Sequence, residues 1–274
     1  MWLALVQPVC KSNDRFHPVY GTQATSQTLL IIFIIIFFPC FAHSGSFFKE
    51  VYEDLGTIST SPARIDLQTV PYIVVGGAGL YYFINNDVTL YNDVKNNHAD
   101  LLDKTMSTVT LLGDGLVHLG SYGLLLKFGN ERDKEIASVS IRGLIAAGVV
   151  SVVAKSIFSA TRPSEDDTNH QFFKYLKIDG SFPSGHTIVA FTGAVILGRS
   201  YHIEYITYPI ATLVAFSRVY LESHWPSDVL AGALLGIWVG NEVFESHRKD
   251  IERKFEIIPS FGENRSSLTF IYYF

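Results

Sequence analysis

Six apolar stretches, at about residues 67-84, 107-127, 139-158, 184-200, 203-221 and 226-244, follow one another along this chain, separated by polar connections. Stretches of that length are too long for strands, so the pattern commits the chain to packed helices. Gly, Ala and Ser are scattered through most of them, as in helices whose backbones approach closely. The GGAG at 76-79 fits that pattern, because it lies inside an apolar stretch and lacks the Lys-Ser/Thr ending of a phosphate loop. The connections at 85-106 and 159-183 are long, and loops of that length in a compact helical domain usually carry function. Beyond the last stretch, 245-256 reads as a charged helical extension, and SSLTFIYYF after Pro259 alternates like a strand without an evident partner.

The leader and the composition narrow the class. Residues 29-38, LLIIFIIIFF, precede PCFAHSGS, a short apolar core ending in small and polar residues as in an export signal; an uncleaved anchor helix is the rival reading. The chain thus divides into 1-44 as signal peptide or anchor, 45-66 as linker, 67-245 as the folded domain and 246-274 as a charged tail. Cys10 and Cys40 are the only cysteines and both lie in the leader, which excludes disulfides and thiolate chemistry from the domain. A net charge of −5 with scattered Lys and Arg gives no basic field for nucleic acid. Hydrophobic residues make up 48% of the chain, which suits a protein of the cell envelope.

Three segments supply what phosphate transfer needs. In KSIFSATRP, Lys155 and Arg162 are seven residues apart, which on a helix puts both on one face before Pro163 breaks it. Two cations aimed at one point suit a phosphate dianion, although a pair of loop charges is the plainer reading. In GSFPSGHT, Pro183 marks a helix start with Ser184, Gly185 and His186 in its first turn, where free N–H groups and the helix dipole favour an anion. The Ser184 hydroxyl adds a donor, Gly185 permits close approach, and His186 is placed to protonate a leaving oxygen. An isolated PSGH is equally a cap beside a surface histidine. In SRVYLESHWPSD, Arg218 ends the fifth stretch, His224 lies in the connection and Asp228 falls in the first turn of the sixth. A carboxylate four residues from a histidine can accept its ring proton, fix its tautomer and leave the other nitrogen as a nucleophile. The alternative is a polar helix start, with Asp228 acting only on the dipole.

Together the segments read K-x6-RP, PSGH and SR-x5-H-x3-D, in order and intact at eleven fixed positions. Over roughly 107-244 the chain therefore resembles the type 2 phosphatidic acid phosphatase (PAP2) superfamily, which also includes bacterial nonspecific acid phosphatases and vanadium haloperoxidases. The resemblance implies an all-α, six-helix bundle, membrane-associated, that hydrolyses phosphate monoesters or diphosphates through a phosphohistidine. It implies that Lys155, Arg162 and Arg218 hold the phosphate oxygens, helped by the Ser184 hydroxyl and the Gly185 amide. His224 would attack phosphorus, Asp228 would orient it, and His186 would protonate the leaving group and then activate water. No metal or other cofactor is implied, and vanadate is expected to inhibit as a phosphate mimic. The leading substrates are lipid phosphates: phosphatidate, phosphatidylglycerol phosphate, polyprenyl diphosphate or lipid A. A soluble periplasmic acid phosphatase is the alternative, followed by a vanadium haloperoxidase and a non-catalytic lipid-binding or transport protein.

Other ionisable residues carry weaker expectations. Asp114 and His118, four apart in the second stretch, are expected as a hydrogen-bonded pair bracing the bundle. Glu165, Asp166, Asp167 and His170 are expected as a solvated lid facing substrate, since no cation-ligand spacing is recognisable among them. Phe172, Phe173 and Tyr175 either meet an acyl chain or pin the same loop. If the last four helices alternate in direction, all three motifs fall at one end of the bundle. The other end then carries Lys127, Arg132, Lys134, Arg199, Arg248, Lys249, Arg253 and Lys254, which places it in the cytoplasm and the site on the periplasmic side of an inner membrane. A cleaved leader and six full spans would put the motifs inside instead. Either 67-84 does not span, or the bundle is a periplasmic globule, a form favoured by Asp114, His118 and Arg142 within apolar stretches.

Overall fold

The computed structural model describes residues 45–173, 180–251, 255–262 and 265–272; the leader over 1-44, Tyr175, Arg253 and Lys254 lie outside the described residues. The order of elements is α1 (Gly45–Thr60), a 3-10 turn (Ser61–Arg64), α2 (Val70–Lys95), α3 (Asp100–Val109), a second 3-10 turn (Thr110–Gly113), α4 (Gly115–Phe128), α5 (Glu131–Phe158), α6 (Gly185–Tyr201), α7 (Glu204–Tyr220) and α8 (Pro226–Ile251). An antiparallel hairpin of β1 (Phe255–Gly262) and β2 (Arg265–Tyr272) follows, with Phe255 opposite Tyr272 and Gly262 opposite Arg265. The domain is an all-α bundle, as the apolar periodicity requires.

α6 is apolar on every side and sits at the centre, packed on α5, α7 and α8. Ile188 and Ile196 join Ile136, Val139, Ala146 and Ala147 of α5 and Val239, Val243 and Phe244 of α8 in the main core. The approach of α6 and α8 depends on Gly232, Gly236 and Gly240, one turn apart on α8. A Cβ at Gly236 would stand 2.6 Å from the Ile188 carbonyl oxygen, and one at Gly240 would stand 2.7 Å from Val195 Cβ. The glycines of 76-79 pack less closely: a Cβ at Gly76 would meet Leu234 at 3.3 Å, while the position at Gly77 is open.

Several expectations about boundaries need correction. The segment 45-66, expected as a linker, is helical over Gly45–Thr60. Phe47, Val51, Leu55 and Ile58 form a stripe at helical spacing along α1, which lies on α5 and α8. Lys49, Glu50, Glu53 and Asp54 interrupt that stripe, so the segment carries no long apolar run. The connection 85-106 is mostly helical, because α2 continues to Lys95 and α3 begins at Asp100. The second stretch is broken: Asp114 caps α4 by accepting from the Leu116 N–H at 2.8 Å, and the helices on either side meet at a bend of 59°. The His118 ring bonds to Tyr122 Oη and the Leu112 carbonyl, each at 2.8 Å, and its link to Asp114 is only the backbone N–H donating to the Asp114 carbonyl at 3.1 Å. The helical extension ends at Ile251, and the strand-like tail pairs with 255–262, which includes Pro259. Arg142 does not oppose a membrane location. It is buried inside the bundle, paired with Glu50 and Asp54 of α1 and with Glu135.

Candidate active site

The three motifs converge at one end of the bundle: the C-terminal ends of α5 and α7 and the N-terminal ends of α6 and α8. α5 places Lys155 in its last turn and stops at Phe158, where Ser159 adopts a left-handed conformation with φ 40°. Lys155 Nζ donates to the carbonyls of Gly180 and Ser181, drawing the second motif onto the end of α5. Arg162 therefore lies in the loop after the helix and not one helical face from Lys155. It still reaches the site, with NH1 3.3 Å from the Ser223 carbonyl.

α6 begins at Gly185 with Ser184 as its N-cap. The Ser184 hydroxyl accepts from Thr187 Oγ1 at 3.0 Å, and its N–H donates to the Asp228 carbonyl at 3.0 Å, which joins the start of α6 to the start of α8. The amides of Gly185 and His186 belong to the first turn, where helical N–H groups lack helical acceptors. A Cβ at Gly185 would stand 3.3 Å from Ser151 Oγ and 4.0 Å from Lys155 Cε, so the helix end and the lysine face a common space. His186 is half-buried behind the 3-10 turn at 110–113, which approaches closely because a Cβ at Gly113 would lie 3.0 Å from the His186 carbonyl oxygen.

Arg218 sits in the last turn of α7, with NH1 donating to Thr110 Oγ1 at 2.7 Å; its carbonyl accepts from the N–H groups of Ser223 and His224 at 3.1 and 3.2 Å. That tight connection delivers His224 into the bundle at 3% exposure, against a fully buried Asp228. His224 Nδ1 is 3.2 Å from Asp228 Oδ2, which also accepts from the Trp225 N–H at 2.8 Å and from the Ser181 hydroxyl. A ring bound through Nδ1 to a carboxylate keeps its proton there and presents Nε2 as the free nitrogen. Burial, then the positive charges of Arg218, Arg162 and Lys155, push the His224 pKa well below the usual imidazole value. The ring is therefore neutral, and the same three cations that hold it so are those expected to bind phosphate.

The PAP2 superfamily model matches residues 139–252, which span the three motifs. An undecaprenyl-diphosphatase from Sulfolobus acidocaldarius is 33% identical over 158 residues, covering 57% of this chain and 76% of that protein. The chain belongs to the PAP2 superfamily. An undecaprenyl-diphosphatase, BcrC, from Bacillus subtilis is 28% identical over 53% of this chain and 75% of that protein. A lipid A 1-phosphatase from Porphyromonas gingivalis is 40% identical over a shorter part, 25% of this chain and 17% of that one. The crystal structure of Aquifex aeolicus LpxE superposes with a TM-score of 0.49 at 29% identity, covering 58% of this chain and 94% of that one.

All eight expected PAP2 site residues thus gather at one end of the bundle. Sequence reasoning missed Asp87, Thr110, Ser181 and Trp225, and it misplaced His170. Of the loop cluster, Asp167 points outward to pair with Lys95 at 2.9 Å, but His170 turns inward and is buried beneath Trp225. No group of three or more metal-ligating side chains occurs among the described residues. Ser181, one residue before the second motif's Phe-Pro, had a local signal in its proximity to PSGH. Asp87 had none, because it lies 141 residues before Asp228 in the polar connection at 85-106.

Proposed function

We propose that this PAP2 phosphatase hydrolyses a lipid phosphate through a phosphohistidine on His224, at the envelope membrane of a bacterial cell with its site facing the periplasm. The observation that carries the mechanism is the buried His224–Asp228 contact through Nδ1, which leaves Nε2 unengaged by the carboxylate. In the first step Nε2 attacks phosphorus and the ester P–O bond breaks, while His186 gives its proton to the departing alkoxide or phosphate oxygen. Lys155, Arg162, Arg218 and the α6 amides take up the negative charge of the equatorial oxygens, which supplies the electrostatic stabilisation. Asp228 balances the positive charge on the phosphorylated ring. In the second step His186 takes a proton from water, the hydroxide attacks phosphorus, the P–N bond breaks, and inorganic phosphate leaves.

A lipid substrate is supported by the names of the relatives and by the surface of the bundle. α5 is the single helix among the described residues long and apolar enough to cross a membrane alone, and the bent α3–α4 pair passes the same test jointly. Ile145, Val149, Val152, Val153 and Ile157 on α5 and Ile206, Ile210, Leu213 and Phe216 on α7 are all more than one-third exposed. These stripes at helical spacing, with Ile73, Val74 and Val75 of α2, leave apolar faces on three helices exposed at once, as suits a bundle surrounded by lipid. The test is phosphate release in EDTA from a panel of lipid phosphates and a soluble aryl phosphate, comparing the protein with His224→Ala. Release confined to lipids supports the reading. Equal release from the aryl ester points to a broad acid phosphatase, and no release at all sinks the proposal.

A further inference from the structure

His170 lies between two buried carboxylates contributed by different helices. Its Nδ1 is 2.7 Å from Asp87 Oδ2 of α2, and its Nε2 is 3.5 Å from Asp228 Oδ1 of α8, the oxygen turned away from His224. The side chains of all three residues are at most 3% exposed. The ring stacks on Trp225 with centroids 5.2 Å apart and planes 21° apart, and Phe172 packs against it from the loop itself.

The protons can be assigned from the partners. Asp87 Oδ1 accepts from the Ser227 N–H at 2.8 Å and Oδ2 accepts from the Ser227 hydroxyl at 2.6 Å, an arrangement suited to an ionised carboxylate. His170 Nδ1 must then be a donor to Asp87. On the other side, His170 Nε2 and Asp228 Oδ1 are both buried without a hydrogen-bond partner among the described residues, although they face one another at 3.5 Å. A bare ring nitrogen opposite a bare carboxylate oxygen would be two lone pairs in contact in a low-dielectric interior. A proton between the two atoms removes that repulsion and turns the contact into a charge-assisted bond.

We propose that His170 is a positioning residue for the nucleophile: its Nε2 shares a proton with Asp228 Oδ1, fixing the carboxylate so that Oδ2 stays on His224 Nδ1. The line Asp87–His170–Asp228–His224 extends the nucleophile's support to α2 and to the long loop, which lie outside the three motifs. The groups facing His170 are Asp87 from α2, Asp228, Ser227 and Trp225 from the α8 start, and Phe172 from its own loop. Since Asp228 is ionised when it holds the phosphorylated ring, its hydrogen-bond donor must favour the ionised form. The inference rests on His224 being the nucleophile.

The test compares His170→Phe and His170→Gln with wild type, measuring kcat, KM, the pH profile of kcat and inhibition by vanadate. Phenylalanine keeps the stack on Trp225 but removes the shared proton; glutamine restores an N–H toward Asp228. In His170→Phe, kcat is expected to fall roughly 10- to 100-fold, a fraction of what an acid or base contributes, with KM and vanadate inhibition unchanged. The acid limb should move to higher pH, because Asp228 without its donor is protonated more readily. His170→Gln should recover most of the loss, and Asp87→Asn should lower kcat in the same direction as His170→Phe. Wild-type kcat and pH profile in His170→Phe would overturn the inference alone, as would equal losses in Phe and Gln accompanied by weakened vanadate inhibition. No turnover by wild type, or turnover that survives His224→Ala, would remove the reading beneath it.

Discussion

His224 is where sequence, burial and charge coincide, and its variants give the sharpest outcomes. His224→Ala should lower phosphate release by at least about a thousandfold while leaving the fold intact by circular dichroism, since a nucleophile acts as a unit with its partners. His186→Ala should retain the first step when the leaving group is good and stall at the second. Rapid quenching of that variant with labelled aryl phosphate is expected to trap acid-labile phosphoenzyme, and its absence would remove the covalent mechanism. The pH dependence follows from the depressed His224 pKa. A lowered value means that the native ring stays neutral through the range where a free imidazole takes a proton. The acid limb of kcat/KM should therefore lie below about pH 6.5. In Arg218→Gln, which removes the largest of the cationic effects on the ring, the limb should move up toward that value. Comparing the two proteins with one substrate cancels the substrate's own titration. For stability the sign runs the same way: the unfolded ring binds the proton that the native ring refuses, so stability present above about pH 6.5 declines as pH falls below it.

At the scale of elements, α8 works as a spine, touching α6 along its glycines and α2 through Leu230 and Leu234. Gly236→Ala places a methyl group against the α6 backbone, which cannot withdraw as a side chain would. A loss of about 1–3 kcal/mol is expected, read from the denaturation midpoint. Arg142 ties α1 to α5 from inside, with Asp54 also accepting from His247 Nε2 of α8 at 2.8 Å. Arg142→Met leaves Asp54 buried without that cation and should cost about 3–5 kcal/mol. A smaller loss on deleting α1 than on this substitution would show that the cluster strains the bundle and does not secure it.

For the whole molecule, the exposed apolar faces and the site end of the bundle make separate demands. On the proposed membrane reading the exposed apolar faces would lie in hydrocarbon, while the site needs a polar end from which water and phosphate can enter. The basic residues at the opposite end do double duty: Arg132 donates to the carbonyls of Ser200 and Ile251, and Arg199 to Asn241 and Glu245. They are structural ties within the bundle, so the charge count by itself gives less direction than it suggests. Lys substitutions at Val152 and Leu213, both exposed on those faces, should reduce recovery of the protein with vesicles in a flotation assay without unfolding it. Equal flotation would place membrane contact elsewhere.

The sequence by itself determined the helical class and the family, and it singled out eight candidate site residues that the fold then brings together, because apolar periodicity and fixed motif spacing are local properties of the chain. What it misread were the elements whose burial is decided by a partner: α1, whose stripe is interrupted by charges; the second half of α2; and the break at Asp114. Only the tertiary structure brought Asp87 and His170 to the back of Asp228. A buried carboxylate can be satisfied from any direction, and the residue that satisfies it is chosen by the packing of helices far apart in the chain.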